Sequence, residues 1–336
     1  MDQNTTPRMF GWGITNRCNL SCPHCYSSAN TAVRDELTTD ECRQVIDVLN
    51  DLSFSVIGWT GGEPLVRRDL DELISYAHNH YGITSAITTN GLVLTPLRAE
   101  ELRAAGVQAI QVSIDGSTAA ANGRLRLASD KQFEQAIDAV RTCKDLGIQA
   151  HMAMLVGQEN LNDVIPYVDL ARSLGVESVR LCGFVPWGGG ISPEVRQRLE
   201  FTTGLPELSR LVQGLQEYES PVVLFDPAFG PLPPGYLFHT CVAGVETCYL
   251  AANGDVYPCT GLLDSRFRVG NVRETSLRDL WQDPRMREIA LYDRGRIDGP
   301  CRGCEAFDDC LGGCRGAAFA HTGDLDASFP VCLRRV

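Results

Sequence analysis

Three cysteines lie close together near the start of the chain, at Cys18, Cys22 and Cys25. Their C-x3-C-x2-C spacing places three thiols on one short loop. Three thiolates can hold three irons of a [4Fe-4S] cluster and leave the fourth iron open to an exogenous ligand. A zinc loop is the alternative, but zinc sites usually pair C-x2-C with a second pair, and this half of the chain has none. The spacing therefore favours an iron-sulfur cluster with one open iron.

Eight further cysteines lie in the last third of the chain. Their spacing is Cys241-x6-Cys248-x10-Cys259, followed by Cys301-x2-Cys304-x5-Cys310-x3-Cys314-x17-Cys332. Eight thiols are the number that two fully ligated [4Fe-4S] clusters need. A zinc ribbon would need only four, and disulfides would need an oxidising compartment that nothing else in the sequence supports.

The elements that must position the first cysteines alternate between short apolar runs and helical patterns. The predicted strands are residues 10–15, 55–59, 83–88, 109–114, 149–155 and 178–184. Each run is too short for a helix and is followed by apolar residues at i, i+3, i+4 spacing. Six βα units with right-handed crossovers give a parallel sheet, either open or curled into a partial (β/α)6 TIM-like barrel. In both cases the chemistry lies at the C-terminal ends of the strands, where Cys18 follows the first strand.

The second half of the chain changes character after two stretches rich in Gly and Pro, at residues 186–193 and 229–235. A hairpin is predicted over residues 249–257 around Asn253-Gly254, with one short helix at residues 277–281 and many loops. We expect a barrel domain over residues 1–220 and a small, loop-rich iron-sulfur domain over residues 221–336. A domain with so little regular structure would be only marginally stable, and bound metal clusters would supply the missing stability.

Composition narrows the class of protein. The chain has 336 residues, 44% of them hydrophobic, and a formal net charge of −12. This charge repels phosphate backbones and anionic headgroups, so neither a nucleic acid nor a membrane is an expected partner. No apolar run approaches the roughly 18 residues of a membrane span, and the first ten residues lack signal-peptide features. We expect a cytoplasmic protein.

The motif RCNLSCPHC at residues 17–25 resembles the hallmark of the radical S-adenosylmethionine (SAM) enzymes. Further motifs stand in the family's order after successive strands: Thr60-Gly61-Gly62-Glu63-Pro64, Thr89-Asn90-Gly91, Ser113-Ile114-Asp115-Gly116 and Val156-Gly157-Gln158-Glu159. The resemblance covers residues 9–184. It implies that the open iron chelates SAM and that one electron from the cluster cleaves SAM to a 5′-deoxyadenosyl radical. An external one-electron reductant such as flavodoxin or ferredoxin is the implied partner.

The resemblance also implies which residues contact SAM. Gly61 and Gly62 would let the backbone approach the ligand, and Glu63 would accept from the SAM amino group. The segment Asn122-Gly123-Arg124-Leu125-Arg126 aligns with the family's HDRLRG segment but lacks its His-Asp pair, and Arg126 would pair with the SAM carboxylate. The other implied contacts are Asn90, Ser113, Asp115 and Val156.

The C-terminal cysteines resemble the SPASM extension of a subset of radical SAM enzymes, including its Gly254-x4-Cys259 element. In that family the ligands of two auxiliary clusters interleave. On this chain the resemblance assigns Cys241, Cys248, Cys259 and Cys314 to one cluster, and Cys301, Cys304, Cys310 and Cys332 to the other. The implied cofactors are SAM and three [4Fe-4S] clusters, one of them binding SAM.

The predicted function is hydrogen abstraction from an unactivated C–H bond. Many SPASM enzymes modify ribosomal peptides and carry a leader-binding domain before the barrel. Here the first cluster begins at Cys18, which favours a small metabolite such as a sugar or nucleoside undergoing oxidation, epimerisation or decarboxylation in specialised metabolism. The alternatives are modification of a ribosomal peptide or of a tetrapyrrole side chain. A non-enzymatic iron-sulfur electron-transfer protein would explain the thiols but not the loops at Gly61 and Asn90.

Two residues of the sixth predicted strand are weaker catalytic candidates. Arg180 points toward the barrel mouth and could bind a substrate carboxylate, although a salt bridge is an equal alternative. Cys182 could donate a hydrogen atom to a product radical, but a buried free cysteine is more often a small apolar residue.

Overall fold

The computed structural model describes residues 8–30, 35–201, 205–216, 218–229, 232 and 241–333. The strands are β1 (Arg8–Thr15), β2 (Phe54–Gly61), β3 (Thr84–Thr89), β4 (Val107–Ser113), β5 (Gln149–Val156), β6 (Ser178–Gly183), β7 (Val222–Phe225), β8 (Thr247–Leu250), β9 (Asp255–Tyr257) and β10 (Gly270–Asn271). The helices are α1 (Thr39–Asp51), α2 (Leu70–Tyr81), α3 (Pro96–Ala105), α4 (Ala119–Arg126), α5 (Asp130–Asp145), α6 (Val164–Ser173), α7 (Pro193–Leu199), α8 (Leu205–Leu215), α9 (Leu277–Gln282), α10 (Phe307–Cys310) and α11 (Arg315–Thr322).

One sheet runs through the described part of the chain, in the order β10-β9-β8-β1-β2-β3-β4-β5-β6-β7. Strands β1 to β7 pair in parallel with their sequence neighbours. The prediction of a mixed α/β fold built on a parallel sheet is confirmed, and β1 to β6 are the six predicted strands. This order, with helices between the strands, is that of an incomplete TIM-like barrel. The sequence analysis missed β7, whose four residues form too short an apolar run.

Alternate residues of the strands point to opposite faces of the sheet, and one of these faces is buried against the helices. In β1, Phe10, Trp12 and Ile14 are fully buried, and Gly11 and Gly13 point to the opposite face. Trp12 stacks on Trp59 of β2 with ring centroids 5.3 Å apart. The glycines leave the other face of β1 open to close approach by a neighbouring side chain.

The C-terminal region joins the same sheet through β8, which pairs in parallel with β1 so that Phe10 lies opposite Cys248 and Trp12 opposite Leu250. The predicted hairpin is confirmed by the antiparallel pair β8–β9, with Gly254 at φ 90° in the turn. The predicted linker at residues 229–235 lies mostly outside the described residues.

A bidentate ion pair also links the C-terminal region to the barrel. Arg273 donates to the two carboxylate oxygens of Glu41, at the start of α1, at 2.5 and 2.9 Å. This ion pair lowers the pKa of Glu41 to about 2.

Among the described helices, none combines the length and apolar character needed to cross a membrane.

We predict that Gly13→Ala lowers the thermal unfolding midpoint of the anaerobic holoprotein. A Cβ at position 13 would lie 2.9 Å from Cζ of Tyr249, which packs across β1 from β8. Such overpacking costs about 1–3 kcal/mol. The matched control is Gly214→Ala in α8, where no atom lies within 4 Å of the new Cβ, and where alanine raises helix stability by about 1 kcal/mol. Equal midpoints for the two variants would contradict this account of β1–β8 packing.

Candidate functional site

The loops that follow β1 and β2 are locked together at the C-terminal edge of the sheet. Gly62 N donates to Thr15 O and Glu63 N to Arg17 O, both at 2.8 Å. Gly61 has φ 119°, and its Cβ position is blocked by the Thr15 carbonyl. The glycines therefore let the Gly61-Gly62-Glu63 loop approach the backbone that leads into Cys18. This is a contact within the chain, in addition to the contact with a ligand that the resemblance implies.

Glu63 connects this loop to the loop after β3. Its side chain is buried, one carboxylate oxygen accepts from Thr89 Oγ1 at 2.7 Å and from Leu65 N at 3.0 Å, and the other accepts from Asn90 N at 2.8 Å. Burial raises the pKa of Glu63 against these hydrogen bonds. Glu63 thus fixes the position of Asn90 at the edge of the site.

Polar groups surround two sulfurs of the first cysteine loop. Cys18 Sγ accepts from Leu20 N at 3.5 Å and has Asn90 Nδ2 at 3.9 Å. Cys25 Sγ accepts from Ala29 N at 3.4 Å and lies 3.4 Å from Ser27 Oγ. Donors of this kind stabilise metal-bound thiolates.

Asp115 forms a buried ion pair with Arg126 beside the same loop, and the His24 imidazole lies against the same carboxylate. Asp115 Oδ2 is 2.8 Å from Arg126 Nε and 3.2 Å from His24 Nε2, and Oδ1 accepts from Leu155 N at 2.7 Å. Burial alone would raise the pKa of Asp115, but Arg126 and His24 lower it to about 2. Arg126, expected to pair with the SAM carboxylate, is paired with Asp115 within the chain.

The remaining implied SAM contacts lie at the same edge. Ser113 ends β4 and Val156 ends β5. The Val156 side chain is buried, and the Val156 carbonyl accepts from Phe184 N at 2.9 Å.

The thiol of Cys22 is protonated in the absence of a metal. Burial raises the pKa of this thiol to about 11, and the nearby charge of Arg126 acts in the opposite direction. The thiols must therefore lose protons as a metal cluster binds.

The two weaker candidates share one face of β6. Arg180 and Cys182 are two residues apart, so both side chains point away from the buried Val179 and Leu181. Arg180 Nη2 lies 3.8 Å from Asp226 Oδ2, and 46% of the Arg180 side chain is exposed. Burial raises the pKa of Cys182 to about 12, so this thiol is neutral at physiological pH.

The loop after β6 joins the two cysteine regions. Gly189 N donates to Cys25 O at 2.9 Å, and Trp187 Nε1 donates to Gly261 O at 3.0 Å, two residues after Cys259. Gly188, at φ 54°, lies against the carbonyls of Cys25 and Tyr26. Trp187 is therefore a buried packing residue that connects the barrel edge to the C-terminal cysteines.

The C-terminal cysteines form two groups and leave one cysteine apart. The thiols of Cys241, Cys259 and Cys314 interact electrostatically, as do those of Cys301, Cys310 and Cys332. Cys304 lies in the same loop as Cys301, and its N–H donates a hydrogen bond to the Cys301 carbonyl at 3.2 Å. Cys248 is buried in the hydrophobic core, where burial alone raises its pKa. The structure does not bring Cys248 to the cysteines with which the SPASM resemblance groups it.

The surroundings of both groups fit anionic metal clusters. All fourteen cysteines are free thiols. Two arginines that the sequence analysis missed, Arg294 and Arg315, lie among them, and burial lowers the pKa of both guanidinium groups. Within the described residues, Arg294 Nη1 and Arg315 Nε are buried donors without a hydrogen-bond partner. Cluster sulfurs would supply the missing acceptors. In the same part of the chain, no three His, Cys, Asp or Glu side chains converge on a site for a single metal ion.

Sequence comparison agrees with this geometry. A model of the radical SAM superfamily matches residues 12–171, and a model of the SPASM iron-sulfur cluster-binding domain matches residues 241–305. The AdoMet-dependent heme synthase of Methanosarcina barkeri is 30% identical over 98% of this chain and 97% of its own length. The mycofactocin maturase MftC of Mycolicibacterium smegmatis is 30% identical over 97% of this chain and 83% of its own.

Solved structures share the fold. SuiB of Streptococcus suis bound to S-adenosylmethionine has a TM-score of 0.74 and 19% identity, over 98% of this chain and 77% of SuiB. SuiB bound to its precursor peptide SuiA has a TM-score of 0.75 and 18% identity, over 98% of this chain and 76% of SuiB.

We predict that Asp115→Asn destabilises the protein by about 3–5 kcal/mol, because it leaves the buried Arg126 without its counter-charge. The stabilisation is complete above the usual Asp pKa of about 3.9 and is lost as the pH falls toward the folded-state value of about 2. The measurement is the thermal midpoint at neutral pH. Asp138→Asn is the control, because its pair with Arg141 is exposed and contributes about 0–1 kcal/mol. Equal losses would show that the buried group contributes no more than a surface pair.

Proposed function

Since the chain belongs to the radical SAM superfamily and carries a SPASM domain, it is an enzyme, and we propose that its substrate lies between Cys25 and Asp226 at the C-terminal edge of the sheet. The observation that carries this proposal is the convergence of the cysteine loop, Arg180, Cys182 and the C-terminal cysteines on that edge. When bound to Cys18, Cys22 and Cys25, a [4Fe-4S] cluster with SAM supplies the 5′-deoxyadenosyl radical.

The chain's own residues would position SAM and protect the radical. Glu63 holds Asn90 in place, and the charged group of Asp115 holds Arg126 beside the cysteine loop. The loop after β6 packs against the Cys25 carbonyl and would help to shield this edge from water. Exclusion of water is essential, because such a radical attacks almost any nearby C–H bond.

For the substrate, we propose a ribosomal peptide that presents a carboxylate to Arg180. Similarity to a mycofactocin maturase along most of both chains supports a peptide, and the half-exposed Arg180 supports an anionic group. A tetrapyrrole with carboxylate side chains is the second candidate, favoured by the similarity to a heme synthase over 97% of that enzyme's length. The comparisons do not confirm the small metabolite expected from the sequence.

The test incubates the reduced holoenzyme and SAM with three probes: a peptide encoded beside its gene, a tetrapyrrole carrying propionates, and a nucleotide sugar. We expect 5′-deoxyadenosine and a mass change in the peptide, both reduced at least tenfold in Arg180→Gln. A mass change in the tetrapyrrole alone would favour the second candidate. Turnover of the sugar alone would refute both.

We predict about 12 irons per chain after anaerobic reconstitution, as three four-iron clusters require. Removal of the Cys18, Cys22 and Cys25 thiols together should leave about eight irons. The measurement is iron and sulfide content beside the visible absorption of the clusters. A wild-type value near four would refute the two auxiliary clusters.

We also predict that Glu63→Gln and Arg126→Ala each weaken SAM binding by about 2 kcal/mol, the scale of a buried charge-assisted hydrogen bond. Equilibrium dialysis with labelled SAM measures the effect. Arg124→Ala is the control on the same helix, since its side chain is 57% exposed and pairs with Glu159. Unchanged SAM affinity in Arg126→Ala would show that Arg126 pairs with Asp115 and does not contact SAM.

A further inference from the structure

Three separate segments of the C-terminal region carry the cysteines proposed for the second auxiliary cluster, which are Cys301, Cys304, Cys310 and Cys332. The first segment is residues 297–304, the second is residues 307–314 and the third is residues 325–332. The first and third segments meet directly, because Cys301 N donates to Ser328 Oγ at 3.0 Å. The second segment turns at Gly312-Gly313, where a Cβ on Gly312 would collide with Ile297 and a Cβ on Gly313 would lie 2.8 Å from Phe329 Cγ. Contacts within the chain therefore bring the three segments together.

Arg315 ties the second segment to the third through one guanidinium group. The residue is only 1% exposed. Nη1 donates to Leu325 O at 2.9 Å and to Ala327 O at 2.7 Å, and Nη2 donates to Gly312 O. Ala327 directly precedes Ser328, the residue that contacts the first segment. The fork of an arginine can serve several acceptors at once, whereas a lysine offers a single nitrogen. Arg315 therefore fixes the second segment relative to the third.

The positive charge of Arg315 lies in the interior, and none of these partners is a carboxylate. All three acceptors are backbone carbonyl oxygens, and Nε is a buried donor without a hydrogen-bond partner among the described residues. A buried charge without an opposite charge beside it destabilises a fold. Four thiolates and the sulfides of a [4Fe-4S] cluster give the bound cluster a net negative charge. Arg315 is thus placed to compensate a charge that arrives with the cluster.

Arg302 shows that a position next to a cysteine does not by itself bury an arginine. It lies between Cys301 and Cys304, but its side chain is 68% exposed and pairs with Asp298 at 3.2 Å. Water and the Asp298 carboxylate compensate its charge, so this pair contributes little to stability. The burial of Arg315 follows instead from its contacts with the second and third segments.

We propose that Arg315 is the positioning residue of the second auxiliary cluster. It holds the ligand-bearing segments together, and its buried charge stabilises the cluster, most strongly in the reduced state. Reduction adds one electron to the cluster, so the reduced state carries more negative charge and gains more from a buried cation nearby. This role rests on the proposed function only in that a cluster binds to these cysteines.

The test measures iron content and the reduction midpoint potentials of the clusters, the latter by titration followed with electron paramagnetic resonance (EPR). Every variant is made in the full-length protein that lacks the Cys18, Cys22 and Cys25 thiols, here called the background protein, so that the result does not depend on SAM chemistry. Arg315→Met keeps the length of the side chain and removes its charge and hydrogen bonds. Arg302→Met is the matched control, because it removes an exposed arginine beside the same cysteines.

We expect about eight irons in the background protein and in Arg302→Met, and about four in Arg315→Met, since one four-iron cluster is lost. Full iron content in Arg315→Met at unchanged midpoint potentials would overturn the proposal. If the background protein itself holds no iron, the auxiliary clusters are refuted and the role of Arg315 falls with them. Failure of the wild type to modify any of the three substrate probes would refute only the proposed substrates.

A second pair of variants separates the charge of Arg315 from its part in folding. Arg315→Lys keeps the charge and Arg315→Gln removes it, while both lose part of the contact with the carbonyl oxygens, so a purely structural role would affect them alike. We expect the reduction equilibrium constant of one cluster to be at least tenfold lower in Arg315→Gln than in Arg315→Lys, a potential about 59 mV more negative for one electron. Loss of that cluster from Arg315→Gln alone would also support the proposal. Equal iron contents and potentials in the two variants, or loss of the cluster from both, would overturn the role of the charge.

Discussion

Strand β1 is the element on which the arrangement of the site depends, because it is hydrogen-bonded on both sides. On one side β2 carries the loop that contains Glu63, and on the other β8 leads into the C-terminal hairpin. The end of β1 continues directly into the first cysteine loop. Gly13 makes this possible, since a larger side chain would collide with Tyr249. The two cysteine-rich regions are thus fixed relative to each other by one strand rather than by a flexible linker.

Charge compensation is a second constraint on the fold. The chain has a net charge of −12, and the bound clusters would add negative charge in its interior. Three arginines near the proposed cluster cysteines, Arg126, Arg294 and Arg315, are each largely buried. Burying a cation costs free energy unless an anion lies nearby. Arg126 has Asp115 as its partner, whereas Arg294 and Arg315 have mainly carbonyl oxygens and neutral thiols. Cluster binding would therefore relieve this cost and couple assembly of the C-terminal region to metal uptake.

The sequence was sufficient to predict what depends on local patterns. The six strands and the Asn253-Gly254 hairpin follow from periodicity and turn residues, and the positions of Glu63 and Asn90 follow from the order of motifs after strands. It was not sufficient for features that depend on pairing between distant segments. The side of β8 that Cys248 faces is determined by register with β1, 238 residues away in the Phe10–Cys248 pair. Asp226 had no motif around it, and Arg315 was overlooked although it directly follows Cys314.

The contact between Arg180 and Asp226 has a consequence for how the proposed substrate would bind. At 3.8 Å the pair is too long for a strong hydrogen bond, so Asp226 holds Arg180 only weakly. A substrate carboxylate could form a bidentate contact with Arg180 and displace Asp226 from it. Because Oδ1 of Asp226 is held by Ala228 N, this displacement would break only the contact of Oδ2 with the guanidinium. Binding of an anionic substrate to Arg180 would therefore disturb little of the existing structure, because one long ion pair is exchanged for a bidentate contact.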